Sequence, residues 1–178
     1  MNTALMRAGR TLASALLCLM PTMVFAAAPF TLIRSVPKTQ TAGAVSPDGK
    51  TLTFTQKIIR LVAETGPESD MLSYRIDSLR NPMLVVPKGA ALTLLFVNTD
   101  DDMAHNIRFG TVLSAYPNVM TASLKSSVGT PELDHKSKTA LHGEELTLRM
   151  PDAPGVYGYW CTVRGHAQGG MVGKVVVR

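Results

Sequence analysis

Three side chains able to bind a soft metal stand at equal intervals of five in the segment Tyr159-Trp160-Cys161-Thr162-Val163-Arg164-Gly165-His166-Ala167-Gln168-Gly169-Gly170-Met171. A strand ending at Cys161, a Gly-rich loop carrying His166 and a last strand beginning after Met171 can turn thiolate, imidazole and thioether toward one point. One more imidazole from a different strand would complete a trigonal His₂Cys set with a weak axial Met, the donor set of copper electron-transfer sites. His105, which follows the acidic run Asp100-Asp101-Asp102, is the candidate. Thiolate and thioether favour Cu(I) while imidazole serves both Cu(II) and Cu(I), so such a set suits exchange of single electrons.

Each residue taken alone has a plainer reading. A lone cysteine beside aromatics is usually a buried small hydrophobe, and Met171 is one of 10 methionines, most of which fill cores. Only their common register with His166 promotes them. Met103, two residues before His105, is a rival thioether that the loop spacing disfavours. His135 and His142 lie among polar neighbours and read as solvent-facing, and the 100–102 run reads as a solvated turn. No Asp-x-Asp-x-Asp-Gly loop follows, so calcium is not expected. Tyr159 and Trp160 alternate along a strand, which predicts one packed inward and one nearer the surface.

The elements that must position these groups read as short strands over 51–62, 71–76, 83–86, 91–98, 106–109, 144–150, 155–161 and 172–177, each bounded by Pro, Gly, Asn or Asp. The apolar run 92–97 suits a strand covered on both faces. Helical turns are predicted only within 64–79 and 115–124. Many short strands with turn signals between them suggest a sandwich or barrel of antiparallel sheets.

The chain has 178 residues, enough for one domain, and 46% apolar content, enough for one core. No basic run is interleaved with aromatics, so the net charge of +5 does not point to nucleic acid. Arg7, Arg10, the apolar stretch 11–25 and Ala26 read as a secretory signal peptide over 1–26, with Val24 and Ala26 at the small-residue positions before the cut. The alternative is an uncleaved anchor, interrupted by Pro21. Cleavage removes Cys18, Arg7 and Arg10, so the 18 basic residues fall to 16 against 13 acidic ones, and Cys161 is left alone. In an oxidising compartment a lone cysteine is buried, joined to another chain or held by a metal. Residues 27–49, rich in Pro, Thr, Ser and Gly, read as an extended leader before a domain over 50–178.

Asn81-Pro82, Pro87-Lys88-Gly89, Val97-Asn98-Thr99, His105, Gly155-Val156-Tyr157 through Cys161, Gly165-His166-Ala167, Gly170-Met171 and Gly173-Lys174-Val175-Val176-Val177 resemble the cupredoxins. The Cys-x4-His-x4-Met spacing resembles the rusticyanin-type branch of that family. The resemblance covers roughly residues 51–178. It implies an all-β Greek-key β-sandwich and one type 1 copper on His105, Cys161, His166 and Met171. It further implies a periplasmic location and partners among c-type cytochromes and a terminal oxidase, with membrane association through the N-terminus or an oxidase complex. Two positions depart from the branch. Asn106 follows the first histidine where the branch has Ser, and its amide can tie the two ligand-bearing loops together. Arg164 stands where the branch has Pro, so the very high potential of that branch is not carried over.

The expectation is therefore a monomeric, non-enzymatic electron carrier that docks through the His166 edge with Arg164 at the rim. Two other classes compete. Copper delivery or storage would favour exposed Met-rich or Cys-x-x-Cys motifs, and a multicopper enzyme needs further His pairs, which 4 histidines in one chain cannot supply.

Overall fold

A computed structural model of the chain describes residues 31–178. The expected signal peptide or anchor over 1–26 lies outside the described residues. In chain order the strands are β1 (Thr31–Ile33), β2 (Ala44–Val45), β3 (Thr51–Thr53), β4 (Ile58–Thr65), β5 (Tyr74–Ile76), β6 (Leu79–Arg80) and β7 (Met83–Val86). They continue with β8 (Ala91–Asn98), β9 (Arg108–Thr111), β10 (Val128–Gly129), β11 (Leu141–Arg149), β12 (Gly155–Trp160) and β13 (Val172–Val177). A 3₁₀ turn (Glu68–Asp70) falls inside the first window predicted to hold helical turns, and one short helix, α1 (Ala122–Lys125), overlaps the end of the second.

The strands form two sheets, one ordered β1-β11-β8-β4-β5-β6 and the other β10-β9-β12-β13-β7-β3-β2. Both contribute inward side chains to one core: Ile59, Leu61, Leu92, Leu94 and Phe96 from the first, and Leu52, Leu84, Tyr159, Val175 and Val177 from the second. The sheets are mixed rather than antiparallel throughout, because β4 runs parallel to β8 and β7 runs parallel to both β3 and β13. Among the described residues no helix is long and apolar enough to cross a membrane.

Three strands match the sequence reading residue for residue: β7, β8 and β13. The run expected over 51–62 instead breaks after Thr53, and its two halves join opposite sheets. Phe54 is still held to the second sheet by its N–H on the Val85 carbonyl, and the polar Gln56 and Lys57 then carry the chain across. β8 alternates rather than being buried on both faces, with Leu92, Leu94 and Phe96 inward and Ala91, Thr93 and Leu95 half-covered. The described part of the 27–49 segment is extended and has no buried residue. It runs along the edge of β4, where the Thr39 and Thr41 hydroxyls accept from the N–H groups of Val62 and Arg60. That pairing covers backbone an open edge would leave exposed.

Tyr159 and Trp160 do alternate faces, yet both are buried. Tyr159 points into the main core and donates its hydroxyl to the Pro82 carbonyl at 2.7 Å. Trp160 points out of the sandwich, where the excursion 112–127 covers it with Tyr116, Met120 and Leu124, together with Ala167 and Val172. The surface position expected for one of the two aromatics is therefore roofed by a chain segment whose path local periodicity does not reveal.

Candidate metal centre

All the residues singled out for copper gather at one end of the sandwich. β8 ends at Asn98, and the following loop brings in His105, whose backbone makes an isolated bridge to Leu133. His105 thus lies in the loop before β9, which begins at Arg108 and not at 106 as expected. β12 delivers Cys161, and the loop returns to β13 through a bond from the Cys161 N–H to the Met171 carbonyl. That single bond closes the His166 loop at its neck.

Glycine is needed twice in this loop. Gly165 has φ 81° and Gly170 has φ 112°, a region that other residues rarely enter. Turn bonds fill the interior: Gly169 N–H to the Gly165 carbonyl, Gly170 N–H to Ala167, and Met171 N–H to His166. The Gly165 N–H reaches outward to the Asn118 carbonyl, so the excursion that roofs Trp160 also holds the ligand loop. On the opposite side the Asn81 amide donates to the Gly170 carbonyl at 2.9 Å while its oxygen accepts from the Tyr74 N–H at 2.8 Å. Asn81 itself has φ 43°, a conformation Asn tolerates better than most residues.

The donor atoms converge. His105 Nδ1 lies 3.2 Å from His166 Nδ1 and 3.2 Å from Met171 Sδ, and Cys161 Sγ lies 3.6 Å from His166 Nδ1. One ligand atom from each of His105, Cys161 and His166 falls within 4.8 Å of the others. His105, Cys161 and Met171 are 0% exposed and His166 is 7% exposed, so His166 is the member that touches solvent.

The electrostatics suit a cation. Burial, followed by the neighbouring His105, lowers the His166 pKa to about 4, and burial also lowers that of His105, so both imidazoles are neutral donors near pH 7. Burial raises the Cys161 thiol to about 11, so a thiolate there requires a positive partner. His105 Nε2 faces the Asp100 carboxylate at 3.2 Å, which puts the ring proton on Nε2 and leaves Nδ1 as a lone pair aimed at the cluster. Two imidazole nitrogens, one thiol and one thioether brought together in a buried cluster match the copper donor set.

Asn106 and Thr162 bond reciprocally. The Asn106 amide donates to the Thr162 hydroxyl at 2.7 Å, and its oxygen accepts from the Thr162 N–H at 2.8 Å. The Tyr74 hydroxyl donates to the Asn106 carbonyl. Arg164 is exposed on the ligand loop. Met103 is half-buried, and its carbonyl accepts from the Asn98 amide. His135 pairs with Asp134 at 2.8 Å, and His142 Nδ1 lies against the Asp134 and His135 carbonyls; neither joins the cluster.

The sequence reading gave no role at the site to Asp100, Tyr74 or Asn81. Asp100 was expected in a solvated turn, but it is only 7% exposed and contacts His105. Its place five residues before the histidine was the available signal, hidden by the exposed Asp101 and Asp102 beside it. Tyr74 and Asn81 act across long sequence separations and carried no local signal for these contacts.

Comparison with known proteins agrees with this geometry. A family model described as "Copper binding proteins, plastocyanin/azurin family" matches residues 63–178. Rusticyanin of Acidithiobacillus ferrooxidans is 29% identical over 131 residues, covering 73% of this chain and 83% of that protein. Rusticyanin of Acidithiobacillus ferridurans is 28% identical, covering 73% of this chain and 68% of its own. The solved structure of rusticyanin from Thiobacillus ferrooxidans superposes with a TM-score of 0.69 at 27% identity, covering 77% of this chain and 86% of that one. The protein therefore belongs to the copper-binding plastocyanin/azurin family, the cupredoxins, and holds His105, Cys161 and His166 in position to bind a single copper ion.

Proposed function

We propose that this cupredoxin is a periplasmic one-electron carrier that passes electrons between respiratory partners such as a c-type cytochrome and a terminal oxidase. The observation that carries the reading is the closed, dry donor cluster with only the His166 edge at the surface. His105, Cys161, His166 and Met171 would hold a copper ion, which would supply a Cu(II)/Cu(I) couple. The protein's part is to keep four side chains fixed so that either oxidation state is met by the same donors. Asn106 supports this by linking the loop that carries His105 to the one that carries Cys161. Burial of three donors excludes water, which leaves no open position for a substrate and favours a carrier over an enzyme.

The outlet is the His166 edge. Gly165 and Gly169 add no side chain around it, Arg164 lies on the same loop, and Val119, next to the Asn118 that accepts from Gly165, is 58% exposed. A small apolar contact with a positive rim suits brief encounters, in which charge steers and little area is buried. The partner then carries an acidic rim. Arg164→Glu is expected to slow electron transfer to such a cytochrome at low salt, roughly tenfold, and to invert the salt dependence, with the visible spectrum unchanged. Stopped-flow kinetics over a salt series measure this, and equal rates in both proteins would remove Arg164 from the docking face.

Export rests on the charged, then apolar, then small-residue order of 1–26. Residues 27–49 then lead into the mature domain and supply its edge strands β1 and β2. The chain recovered from the periplasm is expected to begin at Ala27, and intact-mass spectrometry checks it. A mass that retains Met1 would favour the anchor reading.

A further inference from the structure

His105 and Asp100 sit on one tightly tied loop. The Asn98 oxygen accepts from the Asp100 N–H at 3.0 Å, and the Asn98 amide donates to the carbonyls of Met103, Leu133 and Asp134. Asp100 Oδ1 accepts from the N–H groups of Asp102 and Met103, each at 3.0 Å. This aims Oδ2 at His105 Nε2, 3.2 Å away, with side-chain exposure of 4% for Asp100 and 0% for His105. Among the described residues Asp100 has no Lys or Arg partner: the Lys136 ammonium pairs with Asp101 instead. A buried, unneutralised carboxylate therefore lies one imidazole ring away from the point where the donor atoms meet.

We propose that Asp100 is a positioning residue that fixes the His105 tautomer and holds the reduction potential of the site below the value a neutral partner would give. A carboxylate only accepts, so the His105 proton must stay on Nε2 and Nδ1 stays free to bind metal. Its charge acts through a ring in a poorly screened interior, where it favours the more positive oxidation state. Partners of ligand histidines commonly change metal affinity by about 10–100-fold when removed. Here the effect falls on Cu(II) more than on Cu(I), because only the former carries the extra charge. This inference rests on His105 being a copper ligand.

The test is the midpoint potential of copper-loaded wild type, Asp100→Asn and Asp101→Asn. Asparagine keeps an oxygen for the Asp102 and Met103 N–H groups while losing the charge. Asp100→Asn is expected to raise the Cu(I):Cu(II) affinity ratio about tenfold, a rise of about 59 mV for one electron. Asp101, solvent-facing at 72% side-chain exposure, should change the ratio less than twofold when neutralised. Nitrogen-15 NMR of metal-free wild type should find His105 protonated on Nε2, and this measurement stands even if Asp100→Asn folds poorly. An Nδ1-protonated His105 would overturn the proposal. So would an Asp100→Asn protein that melts earlier yet keeps its potential, or whose potential falls. Failure of wild type to take up copper with an intense visible band would instead sink the carrier reading itself.

Discussion

Cys161→Ser is expected to yield a folded protein without the intense visible absorption of the copper-loaded wild type. The band requires a copper–thiolate bond, and the serine hydroxyl is a hard donor that stays protonated beside neutral imidazoles. The fold should survive because the Cys161 backbone, not its side chain, closes the ligand loop on Met171. Burying a hydroxyl in this site costs about 1–3 kcal/mol, partly offset if it bonds to His166. Copper titration followed in the visible range measures the loss, and circular dichroism checks the β-sandwich. A serine variant that stays strongly coloured would remove Cys161 from the ligand set.

The next largest effect is expected from Met171→Leu. Leucine nearly conserves volume, so at this fully buried position the stability cost should stay below about 1.5 kcal/mol. Copper should still bind through the two imidazoles and the thiolate. Loss of a weak thioether donor penalises Cu(II) more than Cu(I), so the potential should rise, by about 59 mV for each tenfold change in their affinity ratio. Potentiometry on the copper-loaded pair reads this directly. An unchanged potential would mean that Met171 Sδ, despite lying 3.2 Å from His105 Nδ1, is only packing.

What the sequence made legible divides by range. The Cys161, His166 and Met171 spacing is local, since one loop carries all three, and its chemistry narrows the choices sharply. His105 was reached by a different route: the donor set lacked an imidazole and few histidines were available. β8 and β13 were readable because each is an apolar run between clear breakers. The parallel pairing of β13 with β7, the split of 51–62 between sheets and the roof over Trp160 all depend on partners distant in the chain. Asp100 was misjudged for a related reason. Three successive aspartates look alike as a charge run, and only the Asn98 side chain, through bonds to Asp100, Leu133 and Asp134, decides which one is buried.

The parallel ladder between β7 and β13, with Val175 set against Leu84, bears on how the protein acquires its metal. Loop-closure entropy must be lost before such a pairing is rewarded, so folding should be governed by distant contacts and run on the millisecond-to-second scale typical of β-sandwiches, roughly. Met171 immediately precedes β13, and the neck of the ligand loop closes only when that strand docks. A nascent or half-threaded chain therefore offers scattered histidines and one thiol, not a site. The four-donor site exists only once the last strand has docked, so metal bound there stabilises the finished fold.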